Sequence, residues 1–169
     1  MRPEGTAGGV RAYVQGGFYK SEPVVKGFYY GPLYRYEAPQ KGRYREFHQV
    51  GVEAFGVRDP FADAEIIKMG CEFLETAGIK NLTVEINSLG NSSSRQRYTA
   101  ELKKFIEERL DKLCDNCKTR YKKNPLRVLD CKSEACQEQY KNAPVLKDYL
   151  DEESSTYYEE LKKYLELLE

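Results

Sequence analysis

The chain has no tryptophan, one histidine and two methionines in 169 residues, and it carries no net charge. Each shortage excludes something. A single histidine, His48, supports neither a histidine-rich metal centre nor, without a nucleophile beside it, a hydrolytic triad. No run of 18 apolar residues occurs and the mean hydropathy is -0.72, so no membrane-spanning helix is expected. No P-loop and no G-x-G-x-x-G string is present, so phosphate would not be held by the usual glycine-rich helix start. The opening residues Met1-Arg-Pro-Glu-Gly-Thr6 lack the apolar core of a signal peptide. A cytoplasmic chain with no membrane partner is the expectation. Tyrosine, by contrast, is plentiful at 14 residues, and 12% aromatic content argues against disorder.

The neutral total hides uneven blocks. Residues 1–58 hold 9 Lys/Arg against 5 Asp/Glu, and 101–142 hold 11 against 8, whereas 143–169 hold 3 against 8. The two basic blocks suit an anion such as a nucleotide or RNA, with a solvated mixed surface as the alternative.

Local patterns predict an α+β chain. Thr6–Gln15 reads as a short helix with Thr6 as N-cap and Gly16-Gly17 as its stop. Residues 26–37 and 45–56 read as two strands joined by a long loop from Ala38 to Tyr44, which contains Pro39 and Gly42. Helical spacing runs from Phe61 to Ala77, a strand is expected over Leu82–Leu89, and a charged amphipathic helix over about 94–113. A cysteine-bearing segment to about Cys136 and an acidic helix over 151–168 follow. Cys71, within the helical apolar pattern, is expected in the core.

Side chains alternate along a strand, so parity sorts the hairpin into faces. Leu33, Arg35 and Glu37 share one face of the first strand; Phe47, Gln49, Gly51 and Glu53 share one face of the second. If Val50, Val52 and Ala54 pack on a core, the opposite face offers a ring for stacking, an arginine for phosphate and carboxylates for a cation. An ordinary hairpin with one wet face is the alternative reading. His48 falls on the Val50 side, where a core or structural role is expected.

Tyr34-Arg-Tyr-Glu37, a loop, and Arg43-Tyr-Arg-Glu-Phe47 resemble motif 2 of the class II aminoacyl-tRNA synthetases. Longer strings are more specific: Arg2-Pro-Glu-Gly-Thr-Ala-Gly8, Gly31-Pro-Leu-Tyr-Arg-Tyr-Glu37, Ile86-Asn-Ser-Leu-Gly90 and Asn124-Pro-Leu-Arg-Val-Leu-Asp130 resemble the histidyl-tRNA synthetase family, and the likeness covers essentially the whole chain. That family joins histidine to ATP, with Mg2+, as histidyl-adenylate and then transfers the histidyl group to its tRNA. The resemblance implies a homodimer in the full-length protein and part of the antiparallel class II catalytic sheet. Arg35 resembles the arginine on the α-phosphate, the one residue expected to be catalytic. Glu37 resembles the adenine-end partner, Arg43 the arginine reaching the outer phosphates, and Phe47 the ring under adenine. Glu4 and Thr6 match residues on the amino acid's ammonium group, Gln49 a second substrate contact, and Glu53 the carboxylate that reads the imidazole. The family's motif 1, its Arg-Gly-Leu-Asp-Tyr-Tyr segment and motif 3 do not occur here, so the chain reads as an internal fragment that is inactive or nearly so by itself. Expected parts are 1–91 as partial catalytic domain, 92–145 as a helical insertion near the tRNA acceptor arm, and 146–169 as a helix returning to the catalytic domain. A non-catalytic histidine-sensing regulatory subunit is the alternative, although Arg35, Glu37, Arg43 and Phe47 are all retained.

Cys114-Asp-Asn-Cys117 and Cys131-Lys-Ser-Glu-Ala-Cys136 form C-x2-C and C-x4-C pairs. Without a secretion signal, such pairs suggest structural Zn2+ more than disulfides. Four reduced thiols packed as small hydrophobes are the alternative.

Overall fold

The computed structural model describes residues 1–38 and 40–168; Pro39, part of the expected loop, and Glu169 lie outside the described residues. The chain divides into two compact units, Met1–Lys80 together with Leu168, and Asn81–Leu167. The first unit holds helix α1 (Thr6–Gln15), one turn of helix α2 (Phe18–Ser21), strands β1 (Val25–Tyr34) and β2 (Glu46–Phe55), and helix α3 (Pro60–Thr76). The second holds α4 (Ser92–Glu107), α5 (Asp115–Lys123), α6 (Glu134–Tyr140) and α7 (Glu152–Leu167), with short 3-10 turns between them. The α+β class expected from the sequence is what the molecule has, with an antiparallel β1–β2 pair.

The start of α1 differs from expectation in one detail. Gly5, not Thr6, is the N-cap, and the Glu4 carboxylate accepts the Ala7 N–H at 3.1 Å in its place. The glutamate just before the cap thereby satisfies an orphan donor of the first turn that Gly5, having no side chain, cannot. Asp59 caps α3 through the Phe61 N–H at 2.7 Å, with Pro60 at the first helical position.

The β1–β2 register sets Leu33 opposite Phe47, Gly31 opposite Gln49, Tyr29 opposite Gly51 and Gly27 opposite Glu53. Parity therefore groups Phe47, Gln49, Gly51 and Glu53 on one face as expected. The covered side is the reverse of the sequence reading. Phe47, Gln49 and Glu53 are half-buried, while Val50, Val52, Phe28 and Tyr30 are exposed. His48 lies exposed on that same outer face, its ring 6.0 Å from that of Tyr30, and not in a core. Cys71 is half-buried. The face that carries Gln49 and Glu53 is covered by α1: the side chains of Glu53 and Phe55 come within 4 Å of where a β-carbon on Gly9 would lie, and Tyr13 stacks on Phe55 at 4.6 Å. Patterning tells which residues share a face, and the elements packed nearby decide which face is dry.

Two further expectations fail. Leu82–Leu89 is not a strand; a strand needs ladder partners, and among the described residues none pairs with it, its Ile86 carbonyl being taken by the Tyr158 hydroxyl at 3.1 Å. The amphipathic helix stops at Glu107, and Leu110–Lys112 is a 3-10 turn, so the helical spacing that continues to Leu113 is met by a tighter winding.

The second unit has the larger core. Tyr98, Leu102 and Ile106 on α4 meet Leu113, Val128, Leu146 and three cysteines there. At its edge Ser94 Oγ donates to Asp151 at 2.9 Å and accepts the Asp151 N–H at 3.0 Å, while Asn91 caps α4.

Candidate functional site

The hairpin and the N-terminal segment supply the site. Arg35 follows directly after β1, and its backbone N–H donates to Arg45 at 2.9 Å, which prolongs the pairing by one step. Its side chain makes two contacts. Nε donates to the Pro3 carbonyl at 2.8 Å, and the guanidinium lies 4.8 Å from the centre of the Phe47 ring. A guanidinium over a ring face is held there by about 0.5–1 kcal/mol at an exposed site. Arg2 fastens the same segment to β1, donating to the Pro32 carbonyl at 3.0 Å and accepting the Tyr34 N–H at 2.9 Å through its own carbonyl.

The turn after β1 brings a second arginine in. Gln40 and Arg43 bond to each other in a tight reversal, which sets the Arg43 guanidinium 3.5 Å from the Glu37 carboxylate. The pair is largely exposed, so it orients more than it stabilises. The Arg45 Nε donates to the Glu37 carbonyl at 3.3 Å.

On the half-buried face, Gln49 Nε2 donates to the Tyr29 hydroxyl at 3.2 Å. The Tyr29 ring fits between two glycines. A β-carbon at Gly5 or Gly51 would lie 2.2 Å from that ring, so both positions must stay bare for the ring to seat. Tyr29 is the residue the sequence reading missed, and the signal was available: a glycine directly opposite an aromatic across the register leaves room for the ring. A cleft of ≈ 800 Å³ opens beside this ring, walled by Glu4, Gly5, Gly8, Arg11, Tyr29 and Gly31 among others. Glu4 lines it, half-buried, with acceptor capacity left beyond the Ala7 N–H. Thr6 is exposed on the first turn of α1, Gln49 reaches the cleft only through its bond to Tyr29, and Glu53 lines a separate, smaller pocket with Lys26 and Glu65. The structure thus joins Arg35 to Phe47, Glu37 to Arg43, and Gln49 to the Tyr29 that walls the cleft with Glu4; Glu53 faces α1 near Gly9.

A family model for histidyl-tRNA synthetase matches residues 1–122. The chain belongs to the histidyl-tRNA synthetase family. It is 50% identical over 169 residues to a histidine–tRNA ligase of Aquifex aeolicus, covering all of this chain and 42% of that protein. A histidine–tRNA ligase of Halothermothrix orenii is 49% identical over 168 residues, with 40% of its length covered. Among solved structures, apo histidyl-tRNA synthetase of S. aureus superposes with a TM-score of 0.71 at 37% identity, over 99% of this chain and 38% of that one. The chain therefore spans about two-fifths of the length of these relatives. The class II synthetase fold expected from motif 2 holds.

A second cluster lies in the other unit. The sulfurs of Cys114, Cys117, Cys131 and Cys136 all fall within 4.8 Å of one another. Cys114 is the N-cap of α5, and hydrogen bonding from Cys117 holds its thiol down to about 7, while burial pushes Cys117 up to about 12.

Proposed function

We propose that this chain carries the ATP- and histidine-facing part of a histidine–tRNA ligase. The observation that carries the reading is the double engagement of Arg35, whose side chain bonds the carbonyl next to Glu4 and also lies over Phe47. The residue assigned to the α-phosphate thereby sits between the residue assigned to the amino acid's ammonium group and the ring assigned to adenine. An adenylating enzyme needs that order along its site, because the histidine carboxylate must attack the α-phosphorus while adenine and ammonium are gripped on either side.

The chemistry follows from charge. A carboxylate oxygen of histidine bonds to the α-phosphorus, the bond to the bridging oxygen breaks, and pyrophosphate leaves with Mg2+. Negative charge grows on the α-phosphoryl oxygens as this happens, and Arg35 stabilises it electrostatically without covalent involvement. For Arg35 to turn to phosphate, its contact with Phe47 gives way to adenine on the ring. Arg43 meets the outer phosphates and Glu37 the adenine end, their mutual contact holding the loop ready. Glu53 accepts the imidazole N–H with charge assistance, and Gln49, already oriented by Tyr29, supplies the second polar contact. Glu4 and Thr6 receive the ammonium.

The complete reaction belongs to the longer protein. Transfer to the histidine tRNA, a homodimeric assembly and a cytoplasmic setting are part of this proposal, with 92–145 as the insertion near the acceptor arm and 146–169 as the returning helix. Losing even one transition-state contact costs ~10²–10³ in rate, so these residues alone are inactive or nearly so. Calorimetric titration with histidine, with and without ATP, tests the site directly. Selective binding of histidine over other amino acids, weakened by Glu53→Gln, is the expected result. A folded chain that binds histidine no better than lysine, or that ignores Glu53→Gln, would overturn the residue assignments.

A further inference from the structure

The four-cysteine cluster of the second unit has no part in adenylation, and its construction needs its own explanation. We propose that Cys114, Cys117, Cys131 and Cys136 bind a single zinc ion as a tetrathiolate, and that this ion fastens together the short elements of the Asn81–Leu167 unit.

Geometry is the first argument. Tetrahedral zinc with Zn–S near 2.3 Å requires sulfurs separated by about 3.8 Å. Cys114 Sγ and Cys131 Sγ are 3.9 Å apart, and all four sulfurs lie within 4.8 Å of one another. All four cysteines are free, so disulfides do not account for the gathering. Separations this small enclose one ion and leave no room for a multi-iron cluster, whose cysteine sulfurs stand outside the iron core.

The surroundings make the second argument. Sulfur bound to a metal carries negative charge and accepts hydrogen bonds, and such outer donors are a regular part of metal sites. Here the Cys114 N–H donates to Cys136 Sγ at 3.3 Å. The Tyr140 hydroxyl is, among the described residues, the buried side-chain polar atom left without a hydrogen-bond partner. It is buried beside the cluster and faces the Cys117 sulfur without a fully formed hydrogen bond to it. Buried hydroxyls are normally paired. A thiolate fixed on zinc supplies the acceptor that this one lacks.

The third argument is mechanical. Three of the four cysteines sit inside the main apolar cluster of the unit, alongside Leu102, Ile106 and Val128. The ligands come from the N-cap and first turn of α5, from the segment after the Pro125–Val128 turn, and from α6. With 9 residues in α5 and 7 in α6, neither helix holds itself together in water. One ion bonded to all three segments fixes what their packing alone holds loosely, so its binding free energy becomes folding free energy. As the four Zn–S bonds form, each thiol gives up its proton to solvent and no oxidant or reductant is required.

The test uses the 169-residue chain, reduced, incubated with zinc chloride and desalted. One zinc per chain by elemental analysis is expected, with four thiols protected from iodoacetamide and Cys71 still reactive. Cobalt(II) in place of zinc should give the intense absorption of a tetrahedral thiolate site. Cys71→Ser keeps the metal, Cys131→Ser loses it, and Tyr140→Phe weakens zinc affinity by about tenfold while the fold is retained. If Cys131→Ser does not fold, the cobalt spectrum of the unaltered chain decides. A folded chain with less than about a tenth of an equivalent of zinc and no tetrahedral cobalt bands would overturn the proposal. So would an intact mass four hydrogens light, which marks two disulfides.

Discussion

The two units are built from the same kind of residue used in opposite ways. Among the described residues of Met1–Lys80 the buried apolar side chains come down to Leu33, Pro60, Ala62 and Ala64, while Val10, Phe18, Phe28, Tyr30, Val50, Val52 and Phe73 stand exposed. In Asn81–Leu167 the large apolar residues converge on one cluster around Leu102 and Ile106. A two-stranded sheet is marginal by itself in water, whereas a cluster of fully buried residues beside four thiols forms a core in its own right. The first unit sets Arg35 over Phe47 on a thin platform; the second has an interior of its own and also sets Arg109 over Phe105 and Lys147 and Lys162 over Tyr158. On the proposed reading, recognition of histidine and ATP falls to the first unit, while the larger core belongs to the second.

That contrast can be broken. Leu102→Ala, which removes a fully buried side chain, should cost the second unit ~2–5 kcal/mol, whereas Val50→Ala on the exposed sheet face should change stability by less than ~0.5 kcal/mol. Denaturant melts followed by hydrogen exchange in each unit check both, and equal effects would erase the distinction. Arg35→Ala in a full-length enzyme of this family should lower adenylate formation ~10²–10³-fold without moving the melting temperature, as read by pyrophosphate exchange. A comparable loss from Lys103→Ala on α4 would mean that the functional groups had been drawn in the wrong unit.

Smaller effects sharpen the picture. Gly51→Ala pushes a methyl group into the Tyr29 ring and breaks the bond to Gln49, so histidine affinity should fall by about fivefold, the worth of one hydrogen bond. Asn91→Ala removes the cap of α4 and should cost ~1 kcal/mol, confined to the second unit. Acid supplies the last test. Hydrogen bonds from Ser154, and then from Ser94, hold the Asp151 carboxyl below the ordinary aspartate range. The unfolded chain therefore takes up this proton first, so the contribution is present above the unfolded value and disappears as pH falls through the lower folded one. Ser94→Ala should flatten the loss of stability of the second unit on acidification, seen in melts between neutral and acid pH.

How much of this could be read from the sequence depends on range. Features set within a few residues came through: the bounds of α1, the Pro60–Thr76 helix within a residue, and the parity that groups Phe47, Gln49 and Glu53. Features set by distant neighbours did not. Leu82–Leu89 has the composition of a strand and no partner among the described residues. Val50 and Val52 look like core and face outward, because α1 lies against the other face of β2. The four cysteines were visible as two spaced pairs, but their convergence within 4.8 Å depends on folds between Cys117 and Cys131 that spacing does not fix. At the site, motif resemblance supplied the roles, while the link from Arg35 to Pro3 and the seat of Tyr29 between Gly5 and Gly51 emerged only in three dimensions.

The claim that recognition of histidine and ATP falls to the thin unit is most directly tested by hydrogen exchange of this chain with and without both ligands. The account predicts slower exchange in Glu4–Val14, Arg35–Glu37 and Phe47–Glu53, with the α4–α7 helices unchanged. Slowing confined to the helices of Asn81–Leu167, with the hairpin unmoved, would contradict it.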